Sequence, residues 1–93
     1  MSDYRVFETD EFKEQNAALA RRRGRSLDKK LTAYVYPQLR QEPHYGPNIK
    51  RLSGYEPPTW RYRIGDYRIF YLIDEAEKIV SILTIDDRKD AYQ

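Results

Sequence analysis

Ninety-three residues suffice for one domain and are too few for two ordinary ones, so a single core must offset the entropy of ordering the chain. Apolar residues make up 40% of the chain and charged residues 34%; cysteine is absent, which excludes disulfides, and a net charge of +2 does not by itself select a nucleic-acid partner. No segment approaches the run of about 18 apolar residues needed for a membrane span, and Met1-Ser2-Asp3-Tyr4-Arg5 lacks the basic-then-apolar order of a secretory signal, so a reducing cytoplasm is the expected setting.

Tyr4-Arg5-Val6-Phe7 reads as a short strand. Thr9 then caps a helix whose first turn carries Asp10 and Glu11, where acids favour the positive end of the dipole, and whose apolar side includes Phe12 and Leu19. Gly24 ends it. Ser26 is placed to cap a second helix in which Leu27, Leu31, Tyr34, Val35 and Leu39 recur at the helical period. Pro37 removes a backbone bond and collides with the carbonyl of Ala33, so this helix bends or ends there. Arg23-Gly24-Arg25 joins the two as an antiparallel pair. Positive charge concentrates around that joint, with Arg21, Arg22, Arg23, Arg25, Lys29 and Lys30 against Asp28. Such a patch suits a polyanion or an acidic protein, or is a solvated helix end whose cations complement the negative terminus.

Glu42 to Pro58 is rich in proline, glycine and polar residues and reads as an ordered surface connection, with His44 a loop residue. Trp60-Arg61-Tyr62-Arg63-Ile64 and Tyr67-Arg68-Ile69-Phe70-Tyr71-Leu72-Ile73 are β-rich, and the two residues between them, Gly65 and Asp66, suit a type II′ hairpin turn. A last strand runs from Ile79 to Ile85. The expected fold is a single α+β domain over residues 1–93, of order βααβββ, with two antiparallel helices packed on a mainly antiparallel four-stranded sheet.

A two-residue turn fixes the hairpin register. Ile64 faces Tyr67, Arg63 faces Arg68, Tyr62 faces Ile69, Arg61 faces Phe70 and Trp60 faces Tyr71. Trp60, Tyr62, Ile64, Tyr67, Ile69 and Tyr71 then share the face expected under the helices, while Arg61, Arg63, Arg68 and Phe70 share the other. Arg63 directly opposite Arg68 is unfavourable unless an anion or a nearby acid offsets it. Guanidinium groups match phosphate in geometry and charge, and are poor proton shuttles. The plainer alternative is a solvated, charged sheet face. One histidine, no cysteine and no compact acidic set imply no metal.

The segment from Arg63 to Tyr71 fits an R-x-G-x-Y-R-x-x-Y pattern. Together with Ile49-Lys50-Arg51-Leu52-Ser53-Gly54, Asp87-Arg88-Lys89-Asp90-Ala91-Tyr92 and the element order, it resembles the RelE/ParE superfamily of type II toxin–antitoxin toxins, closer to RelE-like mRNA interferases. The resemblance implies a ribosome-dependent endoribonuclease, without metal or cofactor, that cuts translated mRNA in the A site by attack of a ribose 2′-hydroxyl on the adjacent phosphate and is neutralised by a cognate antitoxin. On that reading Arg68 and Arg88 hold the phosphate, Arg61 and Arg63 position the backbone, and Tyr92 orients the attacking hydroxyl or stacks on a base. Arg21, Arg22, Arg23, Arg25, Lys50 and Arg51 would add RNA contacts. A ParE-like inhibitor of DNA gyrase and a non-catalytic partner-binding protein are the alternatives. Asp87 stands where many relatives carry histidine and would repel phosphate if it faced the site.

Overall fold

The computed structural model describes residues 3–87. Strand β1 (Arg5–Glu8) leads into helix α1 (Asp10–Arg23), followed by α2 (Ser26–Lys30), a π-helical turn (Leu31–Val35) and α3 (Tyr36–Gln41) as one helical arm, and then by β2 (Ile49–Leu52), β3 (Thr59–Ile64), β4 (Tyr67–Asp74) and β5 (Ile79–Asp87). The sheet order is β1-β5-β4-β3-β2, with β1 parallel to β5 and every other pair antiparallel.

The sheet therefore has five strands and is mixed, which overturns the four-stranded expectation. The added strand is Ile49-Lys50-Arg51-Leu52, whose register on β3 pairs Ile49 with Tyr62 and Lys50 with Arg61. It is a short edge strand, half-buried only at its two ends and set between Pro47 and Gly54, so it carries too few alternating residues to stand out from a Pro- and Gly-rich stretch.

Thr9 explains how the first helix is fixed. Its hydroxyl accepts from the Phe12 N–H at 3.2 Å and donates to the Ile82 carbonyl at 2.7 Å, tying the start of α1 to β5. Gly24 ends the helix at φ +81°, donating its N–H to the Ala20 carbonyl. Ser26 is not the cap of the second arm; it is the first helical residue, and Arg25 occupies the cap position without a side-chain cap.

The arm continues past Pro37. The Tyr36 N–H reaches back to the Leu31 carbonyl, five residues earlier, and this widened turn places Pro37 in the first turn of α3, where a missing N–H is tolerated. Leu27, Leu31, Val35 and Leu39 form one buried stripe at a spacing of four. Tyr34 leaves that stripe and is 67% exposed, because its neighbour Val35 already supplies the inward position of that turn.

The core lies between this stripe, Phe12 and Leu19 of α1, and Tyr62, Ile69, Tyr71, Val80 and Ile82 of the sheet. All five expected cross-strand pairs of the hairpin occur, and Trp60, Ile64 and Tyr67 pack against the core as the alternation requires. Gly65 has φ +60° and Asp66 does not share the positive sign, which is the II′ pattern. Among the described residues no helix is long and apolar enough to cross a membrane.

Tyr71 is fully buried and its hydroxyl donates to the Pro43 carbonyl at 2.8 Å, pinning the β2-side connection over the sheet. Tyr71→Phe leaves that carbonyl without its partner and is expected to lower unfolding free energy by about 1–3 kcal/mol. Urea denaturation checks this: an unchanged midpoint would show that the bond carries no net stability.

Candidate nucleic-acid interface

The helices cover one side of the sheet, and the other side carries two cross-strand rows of charge. One row is Lys50, Arg61, Phe70 and Thr84, on β2, β3, β4 and β5; the next is Arg63, Arg68 and Asp86, on β3, β4 and β5. Each row sets two cations side by side, an arrangement that is destabilising without a counter-ion.

The guanidinium groups show the consequence. Burial draws the Arg61 pKa below its ordinary value, and the charges of Arg68 and Arg63 add to that effect. The Nε atoms of Arg61 and Arg68 are buried and have no hydrogen-bond partner. Among the described residues no carboxylate comes within ion-pair range of Arg61, Arg63 or Arg68. Two buried donors of like charge facing one surface are the signature of a site that an anion completes.

The acids at the end of β5 divide between the two sides. β4 and β5 slip register between Phe70 and Tyr71, so that Tyr71 pairs with Ile82 and Phe70 with Thr84, leaving Leu83 unopposed. After this bulge Ile85 and Asp87 take the helix side: the Ile85 N–H donates to Gln15 Oε1 at 2.8 Å, and Asp87 Oδ2 meets Arg23 Nη2 at 3.2 Å. Asp87 thus turns away from the arginine rows, and Asp86, opposite Arg68, is the acid on their side.

Of the sequence-predicted site residues, Arg61, Arg63, Arg68 and Lys50 come together on this face. Arg51 does not: it pairs with Trp60 on the other side of β2 and lines a cleft at the far end of β4. Arg21, Arg22, Arg23 and Arg25 stay in the helical layer, the first three in the last turn of α1; Arg23 meets Asp87, and Arg25 meets Asp28 at 3.0 Å. Arg88 and Tyr92 lie outside the described residues. Among the described residues no group of three or more histidine, cysteine, aspartate or glutamate side chains is placed so that it could hold a metal ion.

A second polar cluster had no sequence signature. His44 is held through Nδ1 by Glu42 at 2.9 Å and through Nε2 by Glu75, while Tyr4 donates its hydroxyl to the other oxygen of Glu75 at 2.7 Å. Two of the four, His44 and Glu75, line a cleft of about 650 Å³ with Arg51, Pro58 and Trp60. Only Glu42 is near His44 in sequence, so no spacing rule joins the set. The Glu75 hydrogen bond, with burial, pushes the Tyr4 hydroxyl up to about 12. Burial alone would depress the His44 pKa, but its hydrogen bonds and charge interactions with Glu42 and Glu75 outweigh it, and the net shift is upward. Bonds from His44 lower the Glu42 pKa, and those from Tyr4 and His44 lower that of Glu75.

Residues 6–92 match the family model described as the ParE toxin of type II toxin–antitoxin system, parDE. The chain is similar to a chain of the Mycobacterium tuberculosis RelBE2 toxin–antitoxin complex, at 28% identity and TM-score 0.73 over 95% of this chain and 94% of that one. It shares its fold with a chain of the archaeal RelE–RelB complex from Pyrococcus horikoshii OT3, at 23% identity and TM-score 0.57 over 92% and 96% of the two chains. A conserved hypothetical protein from Helicobacter pylori also shares the fold, at 13% identity and TM-score 0.65 over 95% and 98%. No curated protein matches the chain.

Two measurements probe these clusters. Inorganic phosphate should raise the melting temperature of the wild type above that in chloride of equal ionic strength, and Arg68→Ala should remove the difference. Equal phosphate effects in both proteins would place the anion elsewhere. For the His44 cluster, the raised His44 pKa gives stability that is complete below its ordinary 6.5 and is lost as pH rises through the folded value. The lowered carboxylates give stability that is present above their ordinary 4.5 and is lost as pH falls through their folded values. The melting-temperature difference between wild type and His44→Ala should therefore peak between those limits, and a difference independent of pH would contradict this account.

Proposed function

Because the chain belongs to the family of ParE toxins of type II toxin–antitoxin systems, within the RelE/ParE-like superfamily, we propose that it is a toxin that cleaves translated mRNA on the ribosome and is held inactive by a cognate antitoxin. The observation that carries this reading is the pair of buried, unpartnered Nε donors of Arg61 and Arg68 on a face also bearing Arg63 and Lys50.

Cleavage by internal attack requires a ribose 2′-hydroxyl in line with the adjacent phosphate and donors for the charge that grows on the phosphoryl oxygens. Arg61 and Arg68 supply fixed donors for that charge, and their stabilisation strengthens as the pentacoordinate state forms. Arg63 and Lys50 hold the flanking backbone by charge. Arg88 and Tyr92, the next functional residues on this reading, would help hold the phosphate and stack on or orient the exposed nucleotide. The reaction uses a hydroxyl of the substrate as nucleophile, so no bound metal is required to generate one.

The antitoxin follows from the family and from the similar RelBE2 chain, whose structure is that of a toxin–antitoxin complex. A second reading, inhibition of DNA gyrase, is favoured by the ParE description of the matched family. A supercoiling assay distinguishes it, since inhibition by the purified toxin without RNA cleavage would replace the first reading.

Primer-extension mapping on translated mRNA should show cuts that depend on ribosomes and weaken about 10²–10³-fold in Arg68→Ala. Arg61→Ala should also reduce the salt dependence of single-stranded RNA binding by about 0.7 in log–log slope, one phosphate contact's worth. Equal cutting by wild type and Arg68→Ala would remove Arg68 from the chemistry, and no cutting by wild type would remove the ribonuclease reading.

A further inference from the structure

We propose that Asp86 is the general base of the cleavage step, an inference that rests on the RNA-cleaving reading above. Guanidinium groups carry donors and no acceptor, so the three arginines are unsuited to take a proton from the 2′-hydroxyl. Of the other side chains in the two rows, Lys50 is a cation, Phe70 is apolar and Thr84 carries a hydroxyl. Asp86 is the one described carboxylate there.

Its placement follows from two independent observations. The register sets Asp86 directly opposite Arg68, which brings their Cβ atoms to about 4.5–5.5 Å. The adjacent Asp87 meets Arg23 of the helical layer, so strand alternation turns Asp86 to the other side. Asp86 is half-buried and, among the described residues, lies in no ion pair, so the carboxylate is free to accept a proton. A carboxylate beside a phosphate normally opposes binding. Here it stands in rows holding Lys50, Arg61, Arg63 and Arg68, so the local field still favours an anion.

The step balances without a co-reactant beyond water. Asp86 takes the 2′-hydroxyl proton as the 2′-oxygen forms its bond to phosphorus, and the bond from phosphorus to the 5′-oxygen breaks. The products are a 2′,3′-cyclic phosphate and a 5′-oxygen that takes a proton from solvent, and Asp86 returns its own proton to solvent. Asp86 and Arg68, facing each other across β4 and β5, thus address the nucleophile and the phosphoryl oxygens of one linkage.

The test compares full-length wild type, Asp86→Asn and Asp86→Glu in single-turnover cleavage of ribosome-bound mRNA, with affinity for a 2′-O-methyl RNA oligonucleotide measured in parallel and near-UV circular dichroism reporting the fold. Asp86→Asn should bind the oligonucleotide at least as tightly as wild type, since a negative charge is removed, yet cleave about 10²–10⁴-fold more slowly. Asp86→Glu should recover part of the rate. Cleavage by Asp86→Asn at the wild-type rate, or loss of rate only in proportion to lost binding or lost folding across both variants, overturns the role of Asp86 while leaving the ribonuclease reading in place. Absence of cleavage by wild type overturns both.

Discussion

The two-residue turn at Gly65 and Asp66 sets the side of the sheet on which every residue of the hairpin falls. A strand has a period of two, so one residue more or less in that turn would invert β4 relative to a fixed β3, moving Arg68 under the helices and Ile69 into solvent. Both consequences oppose folding. The buried triad of Tyr62, Ile69 and Tyr71 therefore selects the register, and the arginine row on the other side is a by-product of core packing. The repulsion between Arg63 and Arg68 is tolerated because the core gain on the opposite face is larger: one fully buried large apolar side chain contributes about 1.5–3 kcal/mol, whereas a like-charge cross-strand pair costs about 0.2–1 kcal/mol.

The bulge at Leu83 performs the same kind of sorting at the other side of β4. Without it, strict alternation from Val80 and Ile82 would place Thr84 and Asp86 toward the helices and leave Ile85 outside. With it, Ile85 joins the core, Asp87 finds Arg23, and Asp86 comes opposite Arg68. A single unpaired residue thus determines which of two consecutive aspartates borders the arginine rows. The Asp87–Arg23 contact also gives the basic turn of α1 a packing role: it fastens the end of β5 to the helical layer.

Much of this was legible in the sequence because it follows from local rules. The hairpin register, its turn sign and its two faces came from Gly65-Asp66 and strict alternation, and the first helix from Thr9, Asp10, Glu11 and Gly24. What stayed hidden depends on position rather than pattern. Ile49–Leu52 is a strand because the exposed edge of β3 offers it partners, and its own residues do not announce one. Tyr34 fits the helical period yet faces outward, since period cannot say which of two adjacent apolar residues points inward. The π turn that accommodates Pro37 and the bulge that reassigns Asp86 and Asp87 are one-residue irregularities, and a periodic reading passes over such features. Arg51 and Lys50 are neighbours of like charge in sequence, but strand alternation sends only Lys50 to the arginine rows.

The bonding of the second polar cluster bears on how the protein keeps an uncompensated charged face. The arginine rows lie toward the hairpin tip on the side away from the helices, and the Glu42–His44–Glu75–Tyr4 cluster gathers around the other end of β4, with the His44 ring edge-on to Trp60. The acids of that cluster bond to His44, Tyr4 and Lys78, fastening the 42–48 connection to the β4–β5 turn and the start of β1, and none of them pairs with Arg61, Arg63 or Arg68. Closure of the sheet by acids at one end leaves the cations at the other with a single described acid neighbour, Asp86. Segregating acids from bases along β4 is what allows a chain of net charge +2 to present a face as basic as a nucleic-acid site requires.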